Sequence, residues 1–480
     1  ETNKRGFYVN EWSGELDGEQ DSFFAVGDLF RYFKFQVAEH PRLFFTASEL
    51  PGIRERLSRE PYASMFAKLE SQISNSDLSR KPTNETIGFD VSLRMMGYAM
   101  LYALSGDEMH AQAARSDVEL LLTLAGSDWA NPSLKGLTSY AYASRLAIAY
   151  DLCVSSDSWD PAFVFAVSSR LNDIGEMIVQ NGGSEQNTSA ASNWQGGRGA
   201  AGGLALLATD HAYDPAMLEA AYQRVASYVQ ANQGPDSSSG WNPEGSGYTF
   251  YPFGNFIGPF GIAMGRHDAS RDLRQFPNLG MMAWAGLAGS TTADDIFGLG
   301  GVKTDWSDDN PHNAGEGTHG LAFHYLPQRW HAAYRWAYDR QLGALSPISA
   351  DWDSTRQGAF WSILYYPESL QPQNPLELWE WHQASDDANG LGLFSFRNAY
   401  QDANDILVQF KAKLREPGGH NGPDGLGFRM IGNGAPWVVG GGRNEPGVSM
   451  SQPTVYPVEP LGSVSTNKNT GSVIGPPLVK

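Results

Sequence analysis

The chain has one cysteine, Cys153, in 480 residues. No disulfide can form within it, and no paired-thiolate zinc site can be built. Cys153 falls in an apolar helical stretch and reads as a small buried hydrophobe. No apolar run approaches the roughly 20 residues needed to cross a bilayer. Basic residues are scarce: 34 Lys and Arg stand against 53 Asp and Glu, a net charge of −19. That excludes general binding to nucleic acid, which needs clustered cations on the phosphates. It leaves an anionic substrate open, because a cleft can be locally basic on an acidic protein. A nucleophile elbow, a phosphate loop and a dinucleotide fingerprint are all absent. The opening Glu1-Thr2-Asn3-Lys4-Arg5 carries no signal peptide and is what a mature exported form would show. With the low cysteine count this is compatible with a secreted or periplasmic bacterial protein.

What is present is a globular composition, 41% hydrophobic and 18% charged, in a chain long enough for two domains. From about 90 to 345 the apolar residues recur at spacings of three and four. Helices are predicted from Val91 to Ser105, His110 to Ala125, Leu137 to Leu152, Pro161 to Gln180, Gly199 to Thr209 and Pro215 to Gln233. Later ones are expected at about 255–266, 277–289, 319–343 and 357–366. Pro161 and Pro215 sit where a first turn tolerates proline. Such antiparallel helices form a long bundle, a solenoid or a closed toroid; no fixed-period repeat favours the solenoid. After Pro367 the pattern changes to strands, expected at Leu391 to Phe396, Ile406 to Lys413, Gly427 to Ile431 and Trp437 to Val439. Runs of helices followed by runs of strands imply two domains. We place them at 1–370 and 371–480.

Four clusters could carry chemistry. His420 and Asp424 lie four apart in a Gly- and Pro-rich turn between two of those strands, which displays the histidine. Asn193 begins Asn193-Trp194-Gln195-Gly196-Gly197-Arg198 at a helix entry. It either caps that helix or faces a cleft, where Arg198 would grip a carboxylate. Tyr248 and Tyr251 follow Glu244-Gly245 and either pack against a neighbouring helix or aim a phenol into a cleft. Asp305 to His319, with Asp308, Asp309, His312 and Glu316, reads as a solvated loop lining a cleft. It lacks the ligand spacing of a metal motif. His324 and His331 continue at helical spacing and read as structural.

Together these clusters resemble the heparinase II/III-like polysaccharide lyases, which include alginate and oligoalginate lyases. His40-Pro41-Arg42-Leu43-Phe44-Phe45 and Leu50-Pro51-Gly52-Ile53-Arg54 look like the family's N-terminal segment. Asn193-Trp194 looks like its toroid motif. Glu244-Gly245 with Tyr248 and Tyr251, 55 and 58 residues after Asn193, looks like its Glu-Gly…Tyr…Tyr segment. His420, Gly440-Gly441-Gly442 and Ser451-Gln452-Pro453 follow the order of its lyase domain. The resemblance implies an incomplete (α/α) toroid followed by an antiparallel β-sandwich, and β-elimination on a uronic-acid polysaccharide. Gly422 stands where many members carry a second histidine, and Gln452 where a later one is usual. The family's zinc site is therefore expected to be lost, with no cofactor required, although another divalent ion stays open. The strand-rich part is short for the family. The sandwich is expected to be partial, or completed by a second chain or a homo-oligomer.

The implied chemistry removes the C5 proton of a uronate and expels the 4-linked oxygen. Neutralising the neighbouring carboxylate stabilises the enolate-like intermediate. Asn193 is the first choice for that, with His420 or Arg198 assisting. Tyr248 or Tyr251 serves as acid or base, its high pKa lowered by nearby positive charge. Trp194, Arg198, Glu244, His312 and Arg443 are expected to contact substrate. The competing readings are a glycoside hydrolase on a helical toroid, using Glu244, Asp308 or Glu316, and a non-catalytic glycan-binding protein.

Overall fold

The computed structural model describes residues 35–74, 91–123, 137–180, 190–232, 246–292, 301–303, 318–341, 358–378, 382–385, 393–401, 404–411 and 427–438. A small strand pair, β1 (Glu15–Leu16) and β2 (Glu19–Gln20), precedes them.

Two short helices, α1 (Leu50–Arg56) and α2 (Tyr62–Ser74), open the helical part. Next come α3 (Ser92–Ser105), α4 (Glu108–Thr123), α5 (Leu137–Cys153), α6 (Pro161–Gln180), α7 (Asn193–Ala208) and α8 (Pro215–Ala231). A continuous helical run follows: α9 (Ser246–Pro252), a π-turn (Phe253–Ile257) and α10 (Gly258–His267). Then come α11 (Pro277–Ala288), α12 (Thr318–Tyr325), α13 (His331–Gln341), α14 (Gly358–Tyr365) and α15 (Pro375–Leu378). The predicted helix at 319–343 is two helices, because Pro327 lacks the N–H that would continue the first.

These helices form a toroid. Contacts run in a closed circuit from α2 through α3, α5, α7, α9, α11, α12 and α14 back to α2. Helices α4, α6 and α8 pack outside it. The sequence explains the layering. From Ser139 to Cys153, α5 is buried on every face, as an inner helix surrounded by others must be. In α7 all residues but Trp194 and Gln195 are buried. Its glycines permit that closeness: a Cβ on Gly199 would lie 2.8 Å from the carbonyl oxygen of Ala221 in α8. The predicted start of α7 at Gly199 is six residues late, because these glycines resemble a loop and are in fact packing residues.

The segment from 35 to 62 is a strap across one end of the ring. Arg54 Nε donates to Ala103 O at the end of α3 (3.0 Å), and Arg56 to Leu364 O at the end of α14 (3.5 Å). Arg42 donates to the carbonyls of Leu207, Ala208 and Thr209 at the end of α7. Arg266 at the end of α10 pairs with Glu49. Arg42, Arg54 and Arg56 thus meet the orphan carbonyls that helix C-termini leave unsatisfied. The helices they touch all end at the strap, so they all begin at the opposite mouth.

One β pair lies within the helical region among the described residues, β3 (Ser290–Thr292) with β4 (Gly301–Lys303). The later strands β5 (His382–Ser385), β6 (Leu393–Arg397), β7 (Ile406–Lys411), β8 (Gly427–Gly432) and β9 (Ala435–Val438) form one antiparallel meander. Among the described residues this is one layer rather than two. Asn433 and Gly434 adopt positive φ, the two-residue turn that matches strand twist. Its faces are unusual. Ser395, Arg397, Gln409, Lys411 and Arg429 are buried, while Phe394, Phe396, Val408 and Phe410 are only half-buried and Phe428 is exposed. Arg397 pairs with buried Asp405, and Gln409 donates to Ser395 Oγ at 2.6 Å. Tyr400 joins the sheet to the toroid: it stacks on Trp284 of α11 at 6.1 Å, and its carbonyl accepts from Trp336 Nε1 at 2.8 Å.

No helix among the described residues is long and apolar enough to cross a membrane.

Candidate functional site

Asn193 is the first residue of α7 and is fully buried. The capping role falls to Ser192, whose backbone is extended and whose Oγ accepts the Trp194 N–H at 3.4 Å. The amide of Asn193 is therefore not consumed by the cap that the sequence offered as its simpler role. Trp194 beside it is partly exposed.

Arg198 lies one turn further and differs from expectation. It is 2% exposed, and its guanidinium donates to Ile178 O (2.7 Å) and Val179 O (3.1 Å) at the end of α6. It satisfies carbonyls of the outer helix rather than reaching toward a substrate carboxylate. The physical reason is the antiparallel packing of α6 on α7, which sets the C-terminus of one beside the first turn of the other.

Tyr248 and Tyr251 both lie on α9, which packs against α7, and both are partly buried. The ring of Tyr251 meets Phe256 edge-on at 5.5 Å. Its carbonyl accepts from Asn255 Nδ2 at 2.9 Å. The structure thus brings the helix that starts at Asn193 against the helix that carries the tyrosines, at the mouth opposite the strap.

The sequence sets His319 at the end of the solvated loop, but it is the second residue of α12 and 1% exposed. Its Nδ1 lies 3.3 Å from Tyr334 Oη. Burial pushes its pKa down to about 3, so it is neutral at ordinary pH and no source of positive charge. His324 is likewise lowered, to about 4, chiefly by burial. His331 Nε2 bonds Leu326 O at 2.7 Å, in keeping with a structural role.

Glu244, His312, His420, Asp424 and Arg443 lie outside the described residues, as do Asp308, Asp309 and Glu316. Among the described residues no group of three His, Cys, Asp or Glu side chains could hold a metal ion.

Sequence reading overlooked Arg145. It is 2% exposed in the middle of α5, donating to Ser92 Oγ (3.0 Å) and Asn255 Oδ1 (3.3 Å). The one basic residue of a mostly apolar helix is the available signal, since arginine is almost never fully buried without partners.

No family model matches the chain, and no curated protein matches it. Among solved structures it is similar to a heparan sulfate lyase HepC mutant from Pedobacter heparinus, at 13% identity over 84% of this chain and 65% of that one, with a TM-score of 0.43. It is also similar to a heparinase III gene product, at 13% identity over 86% of this chain and 61% of that one, with a TM-score of 0.44. The chain thus spans less than two thirds of the length of these structures.

Proposed function

We propose that the protein is a polysaccharide lyase that cleaves a uronic-acid polymer by β-elimination. The observation that carries this is the packing of the helix headed by Asn193 against the tyrosine helix. Asn193 heads an inner helix whose cap is supplied by Ser192, and α9, with Tyr248 and Tyr251, packs against that helix. Helices α3, α5, α7 and α14 all begin at this mouth, and their N-terminal dipoles favour an anionic substrate there.

In the proposed reaction the uronate carboxylate is met by the Asn193 amide, assisted by His420. This disperses the charge that develops when C5 loses its proton. One of Tyr248 and Tyr251 acts as acid or base at the scissile bond, with His420 as the second base. The C5–H electron pair forms the C4–C5 double bond, the C4–O4 bond breaks, and the departing oxygen receives a proton. Arg198 is not available to lower the phenol pKa, since it is spent on the end of α6. Trp194, Glu244, His312 and Arg443 are proposed substrate contacts, the substrate being an anionic polysaccharide such as alginate, ulvan, glucuronan or a glycosaminoglycan. No cofactor is invoked.

The test is a panel of those polymers followed in the near ultraviolet, where a C4–C5 double bond conjugated to the carboxylate absorbs. A rising absorbance is expected with at least one polymer, and its loss in Asn193→Ala and His420→Ala. Bond cleavage without the chromophore would mean a hydrolase, and binding without cleavage a glycan-binding protein. Full activity in His420→Ala, or in both Tyr→Phe variants, would remove those residues from the mechanism.

A further inference from the structure

We propose that Arg145 is a positioning residue that holds Tyr251 in place through the π-turn, an inference that rests on the lyase reading above with Tyr251 as its acid or base. The π-turn at Phe253–Ile257 lies between Pro252 and Pro259. Neither proline has an N–H for the ladder, and a widened turn between them is the result. This turn touches Tyr251 twice. Asn255 Nδ2 donates to the Tyr251 carbonyl at 2.9 Å, and the Phe256 ring packs edge-on against the Tyr251 ring at 5.5 Å.

Arg145 fixes the turn from the other side. One guanidinium nitrogen donates to Asn255 Oδ1, the second to Ser92 Oγ in the first turn of α3. A single buried cation on α5 thus ties together α3, α5 and the turn. The Asn255 amide is held at both ends, its oxygen by Arg145 and its nitrogen by Tyr251. Its orientation is therefore fixed, and with it the backbone of the tyrosine. Two prolines make this stretch weak in backbone hydrogen bonds, so a side-chain anchor has more to do here than in a regular helix. Arg145 touches no reacting atom in this scheme.

The experiment uses the full chain with Arg145→Met, Arg145→Lys and Asn255→Ala, each also in a Tyr251→Phe background. The kcat and KM are measured on whichever uronate polymer the wild type cleaves. Hydrogen exchange is followed over residues 248–257. Arg145→Met is expected to lower kcat by about 10–100-fold, the scale of a misplacement near 1 Å, with KM changed less than about threefold. Arg145→Lys should restore part of the loss. In the Tyr251→Phe background the same change should lower kcat no further. An unchanged kcat, or an equal loss with and without the Tyr251 hydroxyl, would overturn the proposal. If the wild type cleaves no polymer, the lyase reading fails, and exchange alone decides on the anchor. Faster exchange over 248–257 supports it, and unchanged exchange overturns it. Should Arg145→Met fail to fold, Asn255→Ala breaks the same link while leaving the cation in place, and its readouts decide.

Discussion

His40 Nδ1 lies 2.7 Å from Asp151 Oδ1, with neither side chain exposed. The other ring nitrogen of His40 meets Asp210 at 3.2 Å, Arg42 pairs with the same carboxylate at 2.9 Å, and Tyr150 donates its hydroxyl to it at 2.6 Å. Two carboxylates face one arginine and one histidine, so the cluster is neutral only when His40 carries its proton. This clasp fixes the strap to the ends of α5 and α7.

Its pH dependence follows. Burial acts to lower the His40 pKa, but the hydrogen bonds to Asp151 and Asp210 and the charge of Asp151 outweigh it, and the pKa is raised above 6.5. That stabilisation is complete below about 6.5 and is lost as pH rises through the raised value. For Asp210, burial acts upward, yet the bonds and charges of His40, Tyr150 and Arg42 prevail and lower it below 3.8. That part is complete above about 3.8 and is lost on acidification through the lowered value. The melting temperature is therefore expected to fall as pH rises beyond neutrality, and to fall less in His40→Gln. Parallel curves for the two proteins above pH ~6.5 would contradict this.

Asp210→Ala removes the partner shared by buried His40 and partly exposed Arg42. The expected loss is about 3–5 kcal/mol, the usual cost of breaking a buried pair from one side. Glu368→Gln breaks the exposed pair between Arg59 (51% exposed) and Glu368 (37% exposed), and should leave stability essentially unchanged. Denaturant melts of both variants measure the contrast.

Arg198→Gln separates a structural arginine from a substrate-gripping one. Loss of two charged hydrogen bonds to α6 should cost roughly 2–3 kcal/mol in a denaturant melt, with KM on the cleaved polymer unchanged. A raised KM at unchanged stability would restore the substrate role.

Ser192 and Asn193 should divide in the same way. Ser192→Ala is expected to cost about 1 kcal/mol of stability as a lost cap, with turnover retained. Asn193→Ala is expected to cut kcat by about 100-fold or more, as removal of an oxyanion donor does. Equal activity in the two variants would take Asn193 out of the chemistry.

Gly199→Ala would set a methyl group against the backbone of α8, which cannot move aside as a side chain can. A loss of about 1–3 kcal/mol is expected from overpacking, read by thermal melting. A neutral result would show that α7 and α8 lie further apart.

Much of the helical part was legible because its periodicity is long and strong. Pro161–Gln180 was read with both ends correct, and Pro215 was recognised as a first-turn residue. The strands at Ile406 and Gly427 also began where expected. The errors have local causes. The glycines before Gly199 have the composition of a loop, and Pro327 sits within an unbroken helical pattern. The clasp was not legible, because His40 meets partners 111 and 170 residues away and periodicity carries no such information. For the candidate site, the residue types at 193, 248 and 251 could be picked out. Which groups Arg198 and Arg145 would serve depended on packing between helices distant in sequence.

The bond from Tyr62 Oη to Tyr366 O spans 304 residues. It belongs to the contact between α2 and α14 that closes the ring. At about 5–20 residues per second of synthesis, the second partner of that bond leaves the ribosome some 15–60 s after the first. During that interval the early helices have no α14 to close upon, and their inner faces need other cover. Folding of the nascent toroid is therefore expected to depend on how fast the chain is made, and on what shelters α2 and α3 until α14 arrives.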